Sequence, residues 1–250
     1  ELLGGPVKPD IPVYASALHP VGAEKVQAEA KAYVEEGYQA MKMRFPYGPG
    51  HGIDGMRANE EHVANVRDAV GDDIEIMADA YMGWDFLYAK KMVKRLEPYR
   101  LAWLEEAFLP DDLNSYAKLR QETSIPISGG EHEYTRFGFQ QIIEKQAMDI
   151  IQPDLRRCGG LSEGRRICSL ALANGITVIP HAYGPTHIHF ALAETAIPMI
   201  EYFPLPCWDD LPDAEVEPIF HDEPQPQNGR VSASLKPGLG VTVNERIFAG

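Results

Sequence analysis

The sequence predicts an α/β protein built as a parallel (β/α) barrel, and three observations carry that expectation. Eight short apolar runs recur along the chain, amphipathic segments of helical period separate them, and 250 residues suit one such barrel. The runs are 12–16, 40–44, 74–79, 101–106, 125–130, 149–154, 177–182 and 199–203. Between them, segments such as 23–36, 60–70, 87–96 and 161–174 repeat apolar residues at i, i+3 and i+4 with charges interspersed. Gly37, Gly71 and Gly175 stand just past helix ends, where a left-handed residue is favoured. Strand–helix alternation at this period implies parallel pairing, and eight repeats imply a closed barrel. After the eighth run, 204–240 is rich in Pro and Gly and reads as a long loop with one or two short strands. The expected division is a barrel over 1–203 and a tail over 204–250.

Composition narrows the function. Lys and Arg number 23 against 37 Asp and Glu, a formal net charge of −14, which argues against nucleic-acid binding. An anionic substrate remains compatible, because a bound cation reverses the local field. No run of about 18 apolar residues occurs, so no membrane span is expected. The opening ELLGGPVKPD has neither a basic nor an apolar leader region and no initiator Met. Cys158, Cys168 and Cys207 form no CxxC pair and read as thiols of a cytoplasmic protein.

The placement of acids carries the chemistry. Asp79, Glu105 and Glu131 end or follow the third, fourth and fifth runs, each 26 residues after the last. That is about one βα repeat, so the three are expected at equivalent heights on adjacent strands, at the face where barrel active sites lie. One such acid alone reads as a cap for the next helix. Three in register read as hard oxygen ligands that suit Mg²⁺. Glu106 should face away from Glu105, because successive strand residues alternate.

Asp154 and His181 end the sixth and seventh runs, so their side chains can meet. A carboxylate on one imidazole nitrogen fixes the tautomer and raises the basicity of the other. Glu201, in MIEYF, ends the eighth run and can complete the ring or simply be a barrel-mouth acid. In MKMR, Lys42 and Arg44 share a side and can both reach the mouth. YGPGHG after the second run reads as a flexible surface loop, the alternative being a mobile active-site loop with His51 facing the substrate. His187 and His189 are expected at surface or helix-start positions, and Arg156 or Arg157 could reach an anionic substrate.

Taken together, MKMR, MADAYM, WLEEAF, SGGEHEYT, IIQPDLRRCGGL, VIPHAYG and the tail DEPQPQNGR with KPGLGV make the chain resemble the mandelate racemase subgroup of the enolase superfamily. The resemblance spans nearly the whole chain and is nearest to acid-sugar dehydratases of the L-rhamnonate dehydratase type. It implies a TIM-like (β/α)7β barrel, the superfamily's C-terminal domain. It also implies an N-terminal capping domain, absent from this chain, on which the tail packs as well as on the barrel. It implies Mg²⁺ on Asp79, Glu105 and Glu131, a catalytic dyad of His181 and Asp154, and an acid at Glu201. Lys42 matches the first lysine of the subgroup's KxK motif. Arg44 stands where racemases carry a second lysine that serves as a base, and an arginine is a poor proton acceptor. The implied activity is a Mg-dependent hydro-lyase acting on an aldonate such as L-rhamnonate or L-lyxonate, in a cytoplasmic homo-oligomer. A racemase or epimerase, and a barrel that binds metal or sugar acid without catalysis, are the alternatives.

Overall fold

The computed structural model describes residues 2–204 and 218–248. Cys207 and the 205–217 stretch of the expected tail loop lie outside the described residues. Eight strands alternate with seven helices in the order β1 (Ile11–Ser16), α1 (Ala23–Glu35), β2 (Ala40–Arg44), α2 (Gly52–Val70), β3 (Glu75–Asp79), α3 (Phe86–Leu96), β4 (Trp103–Glu105), α4 (Leu113–Glu122), β5 (Ile127–Gly129), α5 (Thr135–Glu144), β6 (Ile150–Ile151), α6 (Gly160–Ala173), β7 (Thr177–Val178), α7 (Pro185–Ala193) and β8 (Ile200–Tyr202). All eight expected strands are present, although the last of them are short. The strands pair in parallel in the order β8-β1-β2-β3-β4-β5-β6-β7. The ring is less regular than expected at its last step. Among the described residues β7 and β8 share no ladder, and the gap is crossed by Val178 N–H donating to Ala196 O at 3.4 Å and Ala182 N–H donating to the Glu201 carboxylate at 2.8 Å.

Strand alternation sorts the core into two. Val13, Ala15, Met41, Met43, Ile76, Ala78 and Leu104 join the large cluster that packs against the helices. Their sequence neighbours Tyr14, Ala40, Met77 and Trp103, with Ile179, form a second, smaller cluster. Two residues further along the same side stand Ser16, Lys42, Asp79 and Glu105, all buried. Apolar side chains therefore fill the lower part of the barrel interior, and charged ones fill its C-terminal end.

The helices obey their local signals. Asp85 and Asp112 cap α3 and α4, accepting from Tyr88 N–H at 2.8 Å and Ser115 N–H at 3.1 Å. Gly37, Gly71 and Gly175 take φ of +90°, +74° and +67° past α1, α2 and α6, as expected. The second helix starts at Gly52 rather than near residue 60, so part of YGPGHG is its first turn and not a free loop. The Tyr47 carbonyl before it accepts from Asn59 Nδ2 and Trp84 Nε1, both at 2.9 Å, which pins the segment.

Among the described residues, 204–240 holds two short strands, as expected, β9 (Phe220–His221) and β10 (Arg230–Val231), and β11 (Thr242–Val243) follows beyond that stretch. β10 pairs antiparallel with β1, and β9 with β11. No helix among the described residues is long and apolar enough to cross a membrane.

Candidate active site at the barrel mouth

Register decides which acids stand level. Arg44 of β2 pairs with Asp79 of β3, and Asp79 pairs with Glu105 of β4. These three sit side by side at the C-terminal strand ends. Glu131 departs from the expected height: Glu105 pairs with Ser128, so Glu131 lies three residues further along. Gly130, at φ +110°, turns the chain there, and a Cβ at that position would press on Phe139 at 2.9 Å. Asp154 and His181 do share a level, each three residues past the paired Ile151 and Val178.

Three cations serve four of these acids. Lys42 Nζ is hydrogen-bonded to Glu105 Oε1 and lies 2.9 Å from Glu201 Oε1, with all three side chains buried. Arg44 Nη1 donates to Asp79 Oδ2 at 2.7 Å. Arg157 Nη1 donates to Glu131 Oε1 at 3.2 Å. Glu105 Oε2 also accepts from Trp103 Nε1 and Gln152 Nε2, both at 2.8 Å. Neither donor was foreseen. Their signal was present, since Trp103 lies two residues before Glu105 and Gln152 two before Asp154, on the same side of the strand.

Electrostatics follow from this crowding. Burial, and then the Glu105 charge, push Asp79 up to about 7 against the pull of Lys42 and Arg44. Burial alone would lower Lys42, but Glu105 and Glu201 outweigh it and hold the ammonium well above its ordinary value. Glu201 is held low, because Lys42 and His181 overcome its burial. Glu106 lies just past β4 and accepts from Gly130 N–H at 3.0 Å with His132 Nδ1 at 3.1 Å. Burial pushes its carboxyl up to about 7.

His181 Nδ1 lies 2.9 Å from Asp154 Oδ2. Its Nε2 points the other way, 3.5 Å from Glu131 Oε2 and 3.9 Å from Glu201 Oε2. Burial would depress this imidazole; the Asp154 hydrogen bond and the charges of Glu201 and Glu131 prevail and raise it. The ring is only partly buried, so Nε2 is the accessible nitrogen of a dyad at the mouth.

The minor candidates separate. His51 contacts Tyr47 and Gly48, not the carboxylates. Arg156 is largely exposed, donates to Tyr183 O at 3.0 Å and lies 3.9 Å from Asp154. His189 is half-buried, with Nε2 3.2 Å from Leu239 O. His187 lies in the first turn of α7 but is buried rather than at the surface, because α7 packs that face onto the barrel end.

Among the described residues no three His, Cys, Asp or Glu side chains already close around one point able to hold a metal ion. The donors nonetheless fit a hard divalent cation. Asp79 and Glu105 end adjacent strands at one level, Glu131 follows the next strand, and all three offer hard carboxylate oxygens. Lys42, Arg44 and Arg157 are paired with these carboxylates.

Residues 25–247 match the family model described as enolase C-terminal domain-like. A relative named L-rhamnonate dehydratase, from Saccharopolyspora erythraea, is 36% identical over 98% of this chain and 61% of its own length. The chain thus spans about three fifths of that relative. Two solved structures are similar over 99% of this chain and 65% of theirs. One is L-talarate dehydratase from Polaromonas sp. JS666 complexed with Mg and L-glucarate, at 28% identity and TM-score 0.83. The other is a racemase from Streptomyces coelicolor A3(2) with bound magnesium, at 25% identity and TM-score 0.84. With the family model covering most of the chain, the barrel and its ring of acids belong to the enolase C-terminal domain-like family, within the mandelate racemase/enolase superfamily.

Proposed function

We propose that the protein carrying this chain is a Mg²⁺-dependent dehydratase of an aldonic acid such as L-rhamnonate or L-lyxonate, giving a 2-keto-3-deoxy acid. The observation that carries the reading is the His181–Asp154 pair, with its free nitrogen turned toward Glu131 and Glu201. A barrel that only bound metal or sugar acid would have no need of an oriented base there.

Asp79, Glu105 and Glu131 would hold Mg²⁺. When bound, the ion supplies positive charge that acidifies the α-carbon of a coordinated carboxylate. Asp154 holds a proton on His181 Nδ1, and with Glu131 engaged on the cation Nε2 would be left to carry the lone pair. His181 Nε2 takes the C2 proton, and the electron pair of that C–H bond moves into the carboxylate to give an enediolate. Lys42 and Arg44 stand beside the developing charge as fixed cations. The C3–O bond then breaks, the departing hydroxyl takes the proton from His181, and water leaves. The enol that remains tautomerises to the 2-keto-3-deoxy acid.

Arg44 disfavours the racemase reading, since its guanidinium donates to Asp79 and stays protonated. The similarity to a racemase with bound magnesium keeps that reaction as an outcome of the test. The test is NMR of an aldonic-acid panel with the full-length protein and Mg²⁺ in D₂O. Keto-deoxy product from one acid is expected. Deuterium at C2 with no product would replace the dehydratase by a racemase or epimerase, and neither change, with Mg²⁺ bound, would favour a binding barrel. A cytoplasmic homo-oligomer, and a tail that packs on a preceding capping segment, belong to the same proposal.

A further inference from the structure

His187 is buried, 2% exposed, and its Nε2 is a buried atom with no hydrogen-bond partner. The polar atom it faces is Asp154 Oδ1, at 3.8 Å. A buried ring nitrogen without a partner is costly, and a neutral imidazole presents either an N–H or a lone pair. A lone pair aimed at a carboxylate would be repelled. The proton therefore belongs on Nε2, directed at Oδ1, and a shift of under 1 Å completes a hydrogen bond.

Asp154 then stands between two imidazoles. Oδ2 meets His181 Nδ1 at 2.9 Å, and Oδ1 accepts from Arg156 N–H at 2.7 Å and faces His187 Nε2. The two groups at Oδ1 come from different elements: the Arg156 N–H from the turn after β6, and the His187 ring from the first turn of α7. With a hydrogen bond from each, the plane of the carboxylate would be fixed, and that plane sets the direction of His181 Nε2. Proline at the first position of α7 and the packing of Ile188 and Phe190 into the core hold the helix start in place.

We infer that His187 is a positioning residue, which locks the Asp154 carboxylate and through it the tautomer and aim of His181. This rests on the reading of His181 as the base, but its first test does not need turnover. Long-range ¹H–¹⁵N spectra of the full-length protein with Mg²⁺ report each ring's tautomer. A proton on Nε2 of His187 and on Nδ1 of His181 is expected; a His187 protonated on Nδ1 alone would overturn the inference. His187→Gln keeps an N–H donor, and His187→Leu removes it. The leucine variant should exchange the His181 Nδ1 proton faster and lower kcat about 10-fold at unchanged KM, and the glutamine variant should restore both. In an Asp154→Asn background His187→Leu should add nothing further. Unchanged Nδ1 exchange in the leucine variant would sink the inference. If the wild type turns over no acid, the dehydratase reading fails while the tautomer and exchange results still decide the role of His187. If the leucine variant does not fold, the wild-type tautomers decide it.

Discussion

The most heavily loaded single side chain is Lys42. It is 1% exposed, bridges Glu105 and Glu201, and lies 5.5 Å from the centre of the Tyr14 ring. Removing it leaves two buried carboxylates without their cation, so Lys42→Met should lower stability by about 3–5 kcal/mol in urea unfolding. A loss under about 1 kcal/mol would mean that the acids protonate or hydrate freely. His181 is the opposite case, a partly buried ring whose value is chemical. His181→Asn should cut α-proton exchange by roughly 10²–10⁴-fold while leaving Mg²⁺ affinity intact by calorimetry. Glu131→Gln should instead weaken Mg²⁺ binding, and an unchanged affinity would remove Glu131 from the ligand set.

Between elements, the joints are polar side chains on backbone groups. His62 of α2 is buried and places Nε2 3.0 Å from Leu18 O in the loop after β1, so Nε2 carries a proton and donates. Burial, against that hydrogen bond, holds the imidazole below its ordinary value. The sign follows. As pH falls through the ordinary histidine range, about 6.5, the unfolded chain takes up a proton that the folded one refuses, so stability declines toward acid. Above that range both states are neutral and His62 adds no slope. His62→Gln, which keeps a donor, should flatten this part of the stability–pH curve between about pH 7 and 5. An NMR titration placing His62 above its ordinary value would refute the sign.

At the scale of the whole molecule, the tail and the barrel are clamped backbone to backbone. Gly229 has φ +65°, and a Cβ there would come within 2.4 Å of Gly37 O. A Cβ on Gly37, at φ +90°, would meet Asn228 Cα at 2.8 Å. The contact lies beside the β10–β1 ladder, where Val13 N–H donates to Gly229 O at 3.0 Å. Gly71 is the control, since its φ is +74° with open space around it. Gly71→Ala should cost only the left-handed strain, about 1–2 kcal/mol. Gly229→Ala should cost measurably more in thermal unfolding, because it also pushes the tail off the barrel. Equal losses would mean that the clamp contributes nothing.

The sequence by itself determined the strand–helix order, the helix stops at Gly37, Gly71 and Gly175, and the meeting of Asp154 with His181. These are local or periodic properties: a two-residue alternation, a left-handed cap, a repeat length that returns the chain to the same height. It placed Asp79 level with Glu105 for the same reason. It also placed Glu131 there, and that was wrong, because β4–β5 register is set by packing and a constant spacing does not fix it. The start of α2 was missed because the carbonyl clamp on Tyr47 is made by Asn59 and by Trp84 of a distant segment. The burial of His187 was missed too, since its neighbours in sequence say nothing about the carboxylate 33 positions earlier that it faces. Tertiary structure alone decided which cation sits on which acid, and it turned a row of charged strand ends into a neutralised, directed mouth. Pairings of that kind depend on distance in space, which one-dimensional periodicity encodes only where a single repeat separates the partners.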